Sequence, residues 1–275
     1  MRIQIDDVKL FFDIEGSKLR PDGPAMRQVP TLLLLHGGPG FDHSGFKPAF
    51  TEMAVVAQVI YLDLRGNGRS DAGPASKWSL EQWAEDVHSF CEGLSIEDPI
   101  VMGHSFGGIV AMIYAARYPD HPSKLILSST STQPVVGELY LNAWVVHAPA
   151  PPPWLSGLIR TRPRSPATKR CASRFTRALR RRRVSMSEPY AIPPCGWYSS
   201  STNYAAWSFS GDWIELKCPT LIVAGEDDPI TPVADMEDIV AAMRPDLVRF
   251  ERFANAGHGV YRDRRKPFSA CCAIL

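Results

Sequence analysis

Residues 103–107 read Gly103-His104-Ser105-Phe106-Gly107, a Gly-x-Ser-x-Gly pattern that can present a serine hydroxyl as a nucleophile. An apolar run, Pro99 to Met102, precedes it as an expected strand. A small-residue-rich stretch, Phe106 to Tyr118, follows as an expected helix that stops near Pro119. In that context the glycines leave room for a tight turn that lifts the Ser105 hydroxyl clear of the chain. The helix then aims free N–H groups and partial positive charge at an anion developing beside Ser105. Taken alone, the same five residues also describe a strand-to-helix turn with a capping serine.

A serine hydroxyl needs a base to take its proton, and the base needs an orienting acid. In the order Ser, acid, His, the base lies late in the chain. His258 fits, in the loop Gly257-His258-Gly259 after the last expected strand. His36 and His104 belong to turns around the nucleophile and read as structural. His43, His88, His121 and His147 read as surface or cap residues. The loop Gly225-Glu226-Asp227-Asp228-Pro229 offers the acid. Asp228 is favoured over Asp227 because its Gly-x-x-Asp spacing from the strand end lets it reach toward His258. The oxyanion requires two backbone donors. Phe106 N–H, next to the nucleophile, is one. His36-Gly37-Gly38-Pro39-Gly40 supplies the other, assigned to Gly38 because Pro39 has no N–H.

These groups need a scaffold. Arg2 to Ile5 and Val8 to Ile14 read as strands that precede any helix, an antiparallel start. Thr31 to Leu35, Val59 to Leu62, Pro99 to Met102, Leu125 to Leu127, Thr220 to Val223 and Val248 to Phe253 are short apolar runs. Runs without alternation suit strands buried on both faces of a parallel sheet. Helices are expected over Ser79 to Leu94, with Ser79 and Gln82 in a capping-box spacing, and over Val233 to Met243. Strand and helix in alternation argue for an α/β fold.

Residues 130–212 break this rhythm. A proline run is followed, from Arg160 to Arg183, by eleven Lys or Arg and no Asp or Glu. The segment reads as a cap inserted into a core domain built from residues 1–129 and 213–275. A solvated charge run, an arginine-rich cap that attracts anions, and a frameshifted cap and tail are three accounts of it. The tail after Asp263 also looks unlike an amphipathic final helix.

The chain has 275 residues and a formal net charge of +1, which gives no reason to expect nucleic acid or an acidic membrane as a partner. Its start lacks the basic leader and apolar run of a signal peptide, so a cytoplasmic location is the default expectation. Six cysteines show no Cys-x-x-Cys or Cys/His metal spacing and are expected to be free thiols; Cys271 and Cys272, at the tail, are open to oxidation. No metal and no cofactor are expected.

His36-Gly-Gly-Pro-Gly40, Asp63-x-Arg-Gly-x-Gly-x-Ser70, Gly103-x-Ser105-x-Gly107, Gly225-x-x-Asp228 and Gly257-His258 fall in one order. Together they resemble the proline iminopeptidase-like and carboxylesterase-like branch of the α/β-hydrolase superfamily, over about residues 1–130 and 213–262. The resemblance implies an α/β-hydrolase fold: a mostly parallel eight-stranded sheet flanked by helices, with an inserted cap and no cofactor. It implies a serine hydrolase acting on a small-molecule ester or amide. Ser105 in place of an aspartate counts against epoxide hydrolases and haloalkane dehalogenases. Phe106, where proline iminopeptidases carry Trp, looks more like general esterases. The cationic cap repels an amine, unless Glu138, Glu188, Asp212 and Glu215 converge. The expectation is therefore hydrolysis of small carboxylic esters through an acyl-enzyme. The alternatives are a proline iminopeptidase-like aminopeptidase, or a catalytically impaired hydrolase-fold binding protein.

Overall fold

The computed structural model describes residues 1–132 and 216–272. The cap expected over residues 130–212 lies outside them, apart from residues 130–132. Elements are numbered here over the described residues.

An eight-stranded sheet runs in the order β1-β2-β6-β5-β7-β8-β9-β10. Its strands are β1 (Arg2–Ile5), β2 (Val8–Glu15), β5 (Thr31–Leu35), β6 (Gln58–Leu62), β7 (Ile100–His104), β8 (Lys124–Ser128), β9 (Thr220–Gly225) and β10 (Val248–Phe253). β1 pairs antiparallel with β2, and β2 antiparallel with β6; every other neighbour pair is parallel. The strand expectations hold to within a residue or two at their ends. The continuous apolar runs are buried on both faces: Leu33, Leu34 and Leu35 of β5, like Val59 of β6, have no exposed surface.

A hairpin, β3 (Leu19–Asp22) and β4 (Ala25–Gln28), was not legible in the sequence. Seven of its eight residues are exposed, so no apolar period marks it. The turn signal was present in Gly23-Pro24, with Gly23 at φ 61°.

Helix α1 (Leu80–Gly93) is capped as expected, Ser79 Oγ accepting from Gln82 N–H. Its inner face, with Trp83, Val87 and Phe90, is fully buried. Helix α2 (Phe106–Arg117) is buried almost all round, which its small residues allow. Helix α3 (Val233–Ala242) follows β9, and the short α4 (Val260–Asp263) follows β10.

The tail departs from expectation. Arg265–Cys272 forms a helix, α5, that turns Phe268 and Cys271 into the core beside Phe50 and Tyr261. Two inward residues a turn apart are enough to seat eight residues, too few for a clear amphipathic pattern. Cys271 is thereby shielded, and Cys91, Cys218, Cys271 and Cys272 are all free thiols.

Candidate active site

Ser105 sits between β7 and α2 at φ 54°, ψ −121°, a conformation that costs a non-glycine residue about 1–3 kcal/mol. Its surroundings hold it there. Ser105 N–H donates to Ser128 O at 3.0 Å. Ser105 O accepts from Gly108 N–H at 2.9 Å and from the Thr130 hydroxyl at 2.7 Å. The pattern's glycines are needed for close approach. A Cβ on Gly103 would lie 2.3 Å from Gly107 O, and one on Gly107 would lie 2.2 Å from Leu35 O. With both absent, α2 starts hard against the ends of β5 and β7. The turn leaves Ser105 8% exposed.

The loops after β9 and β10 are laced together. Glu226 N–H donates to Phe253 O at 3.0 Å, and Asp227 N–H to Ala256 O at 2.9 Å. Gly225 packs so closely that a Cβ there would meet Gly257 O at 2.4 Å. This brings Asp228 to His258: Nδ1 stands 2.9 Å from Asp228 Oδ2 and 3.2 Å from Oδ1. Asp228 is buried, whereas Glu226 and Asp227 are exposed.

The Asp228 carboxylate also accepts from Ile230 N–H at 2.8 Å, Thr231 N–H at 3.1 Å and the Thr231 hydroxyl at 2.8 Å. Burial alone would raise its pKa. The hydrogen bond and charge of His258, with these donors, outweigh that and hold it below the usual carboxylate value. An ionised Asp228 selects the His258 tautomer with its proton on Nδ1, leaving Nε2 free to accept.

The His258 ring lies 4.7 Å from that of His104, the residue before Ser105. Among the described residues no hydrogen bond joins Ser105 Oγ to His258 in this resting arrangement. Such bonds commonly close only around substrate.

The loop from His36 to Gly40 lies against the same turn. A Cβ on Gly37 would stand 3.3 Å from Ser105 Cβ. His36, buried, donates from Nδ1 to Gly37 O at 2.6 Å, and its Nε2 accepts from Leu64 N–H at 3.1 Å. Burial pushes its pKa down, so the ring is a neutral strut. Phe106 N–H is the first of α2, without an intrahelical partner. Gly38, at φ 146°, follows Gly37. Both candidate oxyanion donors thus belong to segments that border Ser105.

The surface expectation for His43 needs correction. His43 is buried, 6% exposed, with Nδ1 donating to Asp63 Oδ1 at 2.7 Å and its ring stacked on Phe11. His88 stacks on Tyr118 at 3.7 Å, and His121 bonds the Tyr114 hydroxyl. His43 is thus a core residue whose partners, Phe11 and Asp63, lie far off in sequence, whereas His88 and His121 remain half-buried. His147 lies outside the described residues.

Three supporting residues went unnoticed in the sequence: Thr130, Thr231 and Asn67, which bonds Gly40 N–H at 2.6 Å. Only Thr231 had a signal, the Asp-Pro-x-Thr turn in which an aspartate accepts from the residues that follow. Among the described residues no group of three or more His, Cys, Asp or Glu converges as a metal site. No helix among them is long and apolar enough to cross a membrane.

An eight-stranded, mostly parallel sheet with a serine on a strained strand-to-helix turn defines a class of protein, and the chain's relatives agree. The chain belongs to the alpha/beta hydrolase fold family, whose model matches residues 30–264. It is 27% identical to a proline iminopeptidase from Lactobacillus delbrueckii subsp. lactis, over 93% of this chain and 92% of that one. Its fold is similar to that of a thermophilic esterase from Thermogutta terrifontis, with a TM-score of 0.66, 25% identity, and 100% and 96% of the two chains covered. It also resembles the fold of a meta-cleavage product hydrolase from Pseudomonas fluorescens IP01, with a TM-score of 0.74, 19% identity, and 99% and 95% covered.

Proposed function

We propose that the protein is a serine hydrolase that cleaves small carboxylic esters through an acyl-enzyme. The observation that carries this reading is the Asp228–His258 hydrogen bond, 2.9 Å long, beside a serine at φ 54°. A binding module has no need of either. Ser105 attacks the ester carbonyl while His258 Nε2 takes its proton. Asp228 holds the imidazole and stabilises the imidazolium. Gly38 and Phe106 N–H groups receive the oxyanion. His258 then returns the proton to the leaving alcohol, and water activated by the same ring releases the acid.

The core domain is assigned to residues 1–129 and 213–275, with the segment 130–212 as an inserted cap subdomain. The substrate is a small molecule, and neither nucleic acid nor a membrane is a partner. The protein works in the cytoplasm.

A second reading, release of N-terminal proline, draws support from the 27% identity to a proline iminopeptidase over nearly the whole chain. Phe106 beside the nucleophile favours the esterase. Turnover of p-nitrophenyl acetate and of proline p-nitroanilide by wild type and Ser105→Ala decides between them. The esterase reading expects the first substrate to be cleaved, the second not, and the variant to be inert. Cleavage of the anilide alone would transfer the function to aminopeptidase. Absence of both activities, and of labelling by a fluorophosphonate, would leave a binding protein.

A further inference from the structure

The segment from Gly37 to Gly40 has no backbone–backbone hydrogen bond among the described residues. Gly38 and Gly40 adopt φ 146° and 94°, so no regular element sets their course. Yet a donor for an oxyanion has to be held within a fraction of an ångström of its target. Something other than the loop's own backbone must hold it.

Asn67 does so from the neighbouring loop. The residue is 1% exposed. Oδ1 accepts from Gly40 N–H at 2.6 Å, and Nδ2 donates to Arg65 O at 2.8 Å. The same Oδ1 stands 3.7 Å from where a Cβ on Gly38 would be. The carboxamide is therefore bonded to the Gly40 end of the stretch and lies close to the space beside Gly38. Its own base is rigid: Arg65, fully buried, makes two bonds to Asp86, at 2.7 and 2.8 Å, and Arg65 O also accepts from Trp83 Nε1 at 3.0 Å. At the end of β6, Asp63 receives the N–H and Nδ1 of His43, three residues past Gly40, at 2.9 and 2.7 Å, closing the far side.

We propose that Asn67 is the positioning residue of the oxyanion loop: its buried carboxamide, tied to Arg65 O and Gly40 N–H, holds Gly38 N–H at the angle the transition state requires. The role rests on the hydrolytic reading above. Asn67 touches no substrate and acts through the backbone of Gly38 to Gly40. Its loss should leave ester binding intact and weaken only the interaction that grows as the carbonyl oxygen becomes an anion.

The test compares Asn67→Ala with Ser70→Ala. Ser70 braces the same loop, bonding Asp63 O and Phe11 N–H, without reaching Gly40. Asn67→Ala is expected to lower kcat for p-nitrophenyl acetate by roughly ten- to a hundredfold with KM held within about twofold. It should weaken a trifluoromethyl ketone inhibitor by the same factor and speed amide exchange at Gly40. Ser70→Ala should lower thermal stability but leave all three readouts near wild type. An unchanged kcat, a change confined to KM, or an equal loss of kcat in Ser70→Ala overturns the proposal.

If wild type neither turns over ester nor labels with fluorophosphonate, the hydrolytic reading falls. Exchange at Gly40 then decides the clamp alone: faster exchange in Asn67→Ala upholds it, and unchanged exchange ends it. Should Asn67→Ala not fold, Asn67→Ser serves, since its hydroxyl is too short to bridge Arg65 O and Gly40 N–H.

Discussion

The imidazoles of His104 and His258 lie 4.7 Å apart, tilted 53° to one another, so the residue before Ser105 forms the floor on which the candidate base rests. His104 is 6% exposed and donates from Nδ1 to Ser128 O at 3.1 Å. Tyr261 closes its other side edge-on at 5.1 Å. Burial first, then the nearby charges of His258 and Arg262, keep the His104 pKa well below the ordinary imidazole value. A neutral floor places no second cation beneath the candidate base.

The same burial predicts acid sensitivity. His36 and His104 are both held neutral in the fold and gain protons more readily once unfolded. Their contribution to stability is full above the unfolded imidazole value, about pH 6.5, and is lost as pH falls below it. Asp63 and Asp228, whose folded values are lowered, keep their contribution until pH drops below the unfolded carboxylate value, about 3.9, and lose it from there. Urea midpoints should therefore drop as pH falls from about 8 to about 5, before Asp63 or Asp228 titrates. A flat profile over that range would contradict the assignment of neutral rings.

Asp228→Asn should cut kcat for an activated ester by roughly a thousand- to ten-thousandfold, because an amide can donate to Nδ1 and turn the imidazole into the wrong tautomer. Asp227→Asn, one residue away but exposed, should stay within about twofold of wild type. Steady-state rates of the two variants check this. Equal losses would mean the loop, rather than the Asp228 carboxylate, matters.

Gly107→Ala should destabilise the fold by about 3 kcal/mol, since its methyl group would lie 2.2 Å from Leu35 O, a backbone atom with nowhere to move. Gly45→Ala makes the control, with no atom within 4 Å of its added carbon, and should shift stability by no more than about 0.5 kcal/mol. Thermal unfolding of the pair measures the contrast.

Phe268→Ala should cost about 3–5 kcal/mol. The ring is 3% exposed and packs on Phe50 and Tyr261, the latter being the wall of His104. Urea unfolding reads the loss. A value under about 1 kcal/mol would show that α5 contributes little to the core.

The scaffold was largely legible because burial on both faces forces continuous apolar runs, and β5 to β9 each carry one. The nucleophile turn was legible for a related reason: backbones that approach within van der Waals contact require glycine, and Gly103 and Gly107 stand in the sequence as its trace. The β3–β4 hairpin left only its turn residues as a trace, since almost nothing in it is buried. His43 was misjudged because its partner, Asp63, is twenty residues away.

The sequence by itself determined the order and kind of the main-sheet strands and of helices α1 to α3, the glycine-bounded turn at Ser105, and a shortlist of acids and bases with Asp228 favoured on spacing. Those follow from local rules: burial pattern, the need for glycine at close approach, and the preference of particular residues for caps and turns. Only the tertiary structure decided that Asp228, and neither Asp227 nor Glu226, faces His258, that His104 underlies His258, and that Asn67 braces Gly40. Each of those is a meeting of groups from different segments at the ends of parallel strands. Such meetings are set by strand order and register, to which no short window of sequence has access.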